Sequence, residues 1–154
     1  MMYTVNPNWA KWILISAIKH FKEVADSNDI YFHIPNSHRD TSSQNRFVEF
    51  KMDGPIINQI CRNEFKLLVG ISILYSTDIS DNYQDEVKIG GIFASSFTDI
   101  CIYSWGDGDQ FVGTLKLRQT ASDKLVINNF GEAHKDIRTK QGSIEGIYEI
   151  HLRN

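Results

Sequence analysis

The residues best placed to do chemistry stand near the end of the chain. Glu145, Glu149 and His151 occupy alternate positions of a period-two run, so two carboxylates and an imidazole share one face of a strand. Paired carboxylates can work as general acid and base, which would make a small hydrolase. The same pattern also describes a solvated sheet face, and we adopt that reading of the acidic pair Glu145 and Glu149. No serine or cysteine stands in a G-x-S-x-G elbow, and nothing else marks an activated nucleophile. Of the five histidines, His20, His33, His38, His134 and His151, only His33 and His38 are close, and they straddle a strand end and a proline without the set of carboxylates or thiols that would complete a ligand shell. Asp107 and Asp109 lack the alternating oxygens and distal glutamate of a calcium loop and suit a tight turn. Gly106-Asp107-Gly108 and Gly90-Gly91 lack the third glycine of a dinucleotide fingerprint and the Lys-Ser/Thr pair of a phosphate loop. The sequence thus predicts no catalytic residue, no metal and no cofactor.

Composition narrows the partners. The chain has 154 residues, 42% hydrophobic and 23% charged, enough for one domain with one core. Its net charge of −3 gives no footprint for gripping phosphates. Cys61 and Cys101 form neither a disulfide framework nor a zinc motif and read as small reduced core residues. The start, Met1 to Pro7, has no basic region, and the apolar run from Trp12 to Ile18 stops at Lys19-His20, so neither signal peptide nor membrane span is expected and the cytoplasm is the default site of folding.

The elements that must position these residues follow from periodicity. From Trp9 to Val24, Ala10, Ile13, Leu14, Ala17, Ile18, Phe21 and Val24 recur at three and four, which predicts a helix with Lys11, Ser16, Lys19 and Glu23 on its outer side. Asn6 caps it, Pro7 opens it, and Asp26-Ser27-Asn28 ends it. Trp9 and Trp12 border the stripe, where their rings either complete the core or meet another subunit. Ile30–Ile34 and Arg46–Met52 read as strands, with a turn at Asp53-Gly54-Pro55. Phe65–Tyr75 is apolar enough for a central strand. Thr77–Tyr83 is polar loop. Asp85–Phe93 fits helix or strand, and we read it as a second helix despite Gly90-Gly91. Thr98–Trp105 and Phe111–Arg118 form a hairpin around Gly106–Asp109, whose glycines supply positive φ. Leu125–Asn128 and Ser143–Leu152 close the sheet, the latter with Ile144, Gly146, Tyr148, Ile150 and Leu152 on one side. The class is α+β: a mostly antiparallel sheet with a long N-terminal helix packed on one face.

Several stretches share the order and texture of one family. Phe47-Val48-Glu49-Phe50-Lys51-Met52-Asp53-Gly54-Pro55 is followed by Phe65 to Leu74, then Ile92 to Ile100, Trp105-Gly106-Asp107-Gly108, Asn129-Phe130-Gly131-Glu132 and Ser143 to Ile150. Over residues 46 to 152 this succession resembles the tail-terminator (tail-completion) and neck proteins of tailed bacteriophages. The resemblance implies a single small α+β domain without catalytic residues, assembling as a homo-oligomeric ring, usually a hexamer, at the head-tail junction of the virion. Such a ring stops growth of the tail tube and meets the head connector, so its partners would be further copies, the tail tube protein and connector or other neck proteins, with DNA passing through unbound. Six copies at −3 each would surround that DNA with like charge. The polar segment Pro35–Asn45, including Ser37, His38, Arg39, Asp40 and Thr41, is the expected assembly contact because nothing within it provides a partner. Another neck or head-completion ring is the nearest alternative. A small-ligand or peptide-binding β module with Trp105 at its mouth is the competing class.

Overall fold

A computed structural model describes residues 6–34, 47–78, 83–118, 126–132 and 139–153. The chain runs α1 (Asn8–Ser27), β1 (Tyr31–His33), β2 (Phe47–Cys61), β3 (Glu64–Asp78), α2 (Tyr83–Ser95), β4 (Ile100–Tyr103), β5 (Phe111–Leu117), β6 (Val126–Glu132) and β7 (Thr139–Arg153). The class is α+β. Seven strands make one sheet in the order β1-β2-β3-β7-β5-β4, with β6 pairing β7. Every pairing is antiparallel except the short parallel one between β1 and β2. β3 is central as its apolar run predicts: it pairs β2 along one side and β7 along the other, from Glu64↔Arg153 to Asp78↔Thr139.

Alternation then sorts the side chains. Phe65, Leu67, Val69, Ile71, Ile73 and Tyr75 of β3 are buried on one face, as are Ile144, Tyr148, Ile150 and Leu152 of β7. Both helices cover that face. Phe21 of α1 meets Phe50 of β2 and Phe97 after α2, at ring separations of 6.1 and 5.1 Å. Asp85–Phe93 falls inside α2, and Gly90 lets the helix approach β3: a Cβ there would lie 2.9 Å from the Tyr75 hydroxyl.

Several details depart from the sequence reading. The first strand shortens to Tyr31–His33, and β6 runs on to Glu132. The stripe of α1 is rotated towards Trp12, Ile13, Ser16, Ala17, Phe21 and Ala25, so Ser16 is buried and Leu14 stays 37% exposed. Asn6 does cap the helix, its Oδ1 accepting the Asn8 N–H at 3.0 Å. Asp53-Gly54-Pro55 does not reverse the chain. Gly54, at φ 102°, sits in a bulge where register slips between Asp53 and Ile56, and β2 continues to Cys61 before turning. Thr77 and Asp78 extend β3 and Tyr83 begins α2, while 79–82 lie outside the described residues.

Candidate functional site

The β4–β5 hairpin carries the most polar connections back to α1. Trp12 Nε1 donates to Asp107 Oδ2 at 2.8 Å, and Trp105 Nε1 donates to Ser16 Oγ at 3.0 Å. The same hydroxyl accepts the Tyr103 N–H at 3.2 Å. Asp109 Oδ1 accepts the Gly106 N–H within the turn at 2.9 Å. Turn and helix-docking roles therefore account for Asp107 and Asp109, and Gly106 and Gly108 have positive φ as their positions require. Trp12 completes the core, and Trp9 packs half-buried against it in an edge contact with Trp12. Trp105 is half-buried rather than exposed, bonded to Ser16 and covered at 4.4 Å by the Lys19 ammonium.

This anchoring fixes a ledge of apolar side chains. Tyr103 lies 5.5 Å from Trp105 and 5.9 Å from Phe111, and Phe111 is 59% exposed. Cys101, on the same side of β4 as Tyr103, is also exposed.

Exposed isoleucines also stand on β2. Past the Gly54 bulge, Ile56 and Ile57 are 61% and 53% exposed on opposite faces of the strand, and Ile60 is 52% exposed. β1 pairs only with Phe47, Val48 and Glu49, so among the described residues the later part of β2 has no neighbour on its outer edge. A free strand edge offers N–H and C=O groups to any extended chain, and natural proteins guard such edges unless they are used. Covering the exposed half of each isoleucine would contribute about 1 kcal/mol. Cys61 ends this strand and is exposed, so neither cysteine belongs to the core. The reason is place: one sits at a hairpin end, the other on the outward beat of a four-residue strand.

Glu145 and Glu149 do share a face, Glu145 exposed and Glu149 half-buried. Glu149 Oε2 lies 3.1 Å from Lys66 Nζ and 3.5 Å from Arg118 Nε and is held by charge rather than by an aligned hydrogen bond. Four residues along a strand put the two backbone positions about 13 Å apart, and the Glu149 carboxylate is engaged by the Lys66 and Arg118 cations. Their arrangement suits a charged outer face. Ser37, His38, Arg39, Asp40 and Thr41 lie outside the described residues. A shallow depression along α1, lined by Lys19, Lys22, Glu23, Asp26 and Ser27, is open to solvent. Among the described residues no three His, Cys, Asp or Glu side chains group as metal ligands, and no helix is long and apolar enough to cross a membrane.

The geometry describes an α+β protein with exposed apolar side chains on β2 and on the β4–β5 hairpin. No protein-family model matches the sequence, and neither does any curated protein. A solved structure superposes at TM-score 0.58 over 91% of this chain and 94% of its own, with 9% sequence identity. Likeness at that identity establishes the fold alone.

Both sets of side chains escaped the sequence reading. The signal for β2 was present in the triplet Ile56, Ile57 and Ile60, which a turn at Gly54-Pro55 concealed. The ledge joins residues on two strands and could be found only once Tyr103 and Phe111 were paired.

Proposed function

We propose that this chain is a structural virion protein that forms a ring, a homohexamer, at the head-tail junction of a tailed bacteriophage. There it caps the tail tube and joins it to the head connector. The observation that carries this reading is the presence of two unlike sets of exposed apolar side chains, isoleucines on β2 and aromatic rings on the β4–β5 hairpin, separated in the strand order by β3 and β7. A closed ring requires two different lateral surfaces on every subunit, whereas a two-fold dimer requires only one that matches itself. The likeness of residues 46–152 to terminator and neck proteins supports the placement at the tail end. On this reading the chain is made in the bacterial cytoplasm, is no enzyme, needs no cofactor and lets DNA pass without specific contacts. Segment 35–45 serves as an additional axial or lateral contact. The binding-module alternative is less favoured because Ser16 already holds the Trp105 ring it would use.

A nonsense mutation in the gene within its phage tests the proposal. The expected outcome is filled heads without tails and tail tubes of uncontrolled length, both corrected by supplying the chain in trans. Normal-length, infectious particles from the mutant would overturn it. Joined particles with normal tubes but leaking heads would instead select the other neck ring.

A further inference from the structure

We draw no further inference here: the strongest candidate, the cluster of Lys66, Lys116 and Arg118 around Glu149 on the outer face of the sheet, carries nothing, because Lys66 and Arg118 are already committed to that carboxylate and nothing in the structure shows what covers the rest of the face.

Discussion

The Ser16 hydroxyl, inside a helix and 4% exposed, accepts from both the Trp105 indole and the Tyr103 amide. Ser16→Ala should strand both donors in a half-buried place and cost about 1–3 kcal/mol, read by urea melts with a change in tryptophan emission. Its role was illegible in the sequence because its partners are 87 and 89 residues away, so helix periodicity alone put this polar residue on the outer side. Tyr148 is a second residue with distant commitments: its hydroxyl donates to the Thr98 carbonyl at 3.0 Å. Burial first, and then the Asp99 carboxylate, push its phenol well above the ordinary value. The folded state therefore keeps this proton where the unfolded chain loses it. The contribution is fully present below about pH 10 and is lost as pH rises towards the folded value, by up to about 1.4 kcal/mol per pH unit. Tyr148→Phe should be less stable near neutrality by about 1–3 kcal/mol, since the Thr98 carbonyl loses its partner, yet should decline less steeply between pH 10 and 11. Equilibrium unfolding at several pH values checks both parts.

At the scale of elements, Phe21 is fully buried between Phe50 and Phe97, so Phe21→Ala should cost about 3–5 kcal/mol in a urea melt. Gly146 allows β7 to pass beneath Phe97 and Leu117, whose atoms would lie 2.9 and 3.1 Å from an added Cβ. Gly146→Ala should overpack that crossing and cost about 1–3 kcal/mol, whereas Gly91→Ala, which meets nothing within 4 Å, should be neutral or stabilising. Thermal melts of the two alanine variants give the comparison. Local pattern sufficed where burial follows composition or period: the apolar run of β3, the alternation of β7 and the three-four spacing of α1 each identify their element. It failed where partners override period. Leu14 fits the helical stripe but stays partly exposed because α1 turns its Trp12–Ser16 side to the β4–β5 hairpin. Gly54-Pro55 has turn composition, yet pairing with β3 resumes after a bulge and keeps the strand extended. The cysteines follow the same rule, since a residue type that prefers cores is exposed wherever its strand position faces outward.

For the whole molecule, an α+β sheet covered by two helices on one face leaves its charged outer face and two sets of exposed apolar side chains for contact. On the proposed ring reading, six subunits that each carry two unlike lateral surfaces can close without leaving either unpaired. On that reading the lateral contact is apolar while the outer face carries Lys66, Arg118, Glu145 and Glu149, so assembly should resist moderate salt and weaken when apolar surface is replaced by charge. Light scattering across protein concentration, at low and high salt, should show one mass transition that Phe111→Asp shifts at least tenfold upward in concentration. The most direct measurement is cryo-electron microscopy of intact particles of the phage to which the proposed reading assigns the chain. The account predicts six copies in a ring between tail tube and head connector. Particles in which this junction is built without the chain would contradict it.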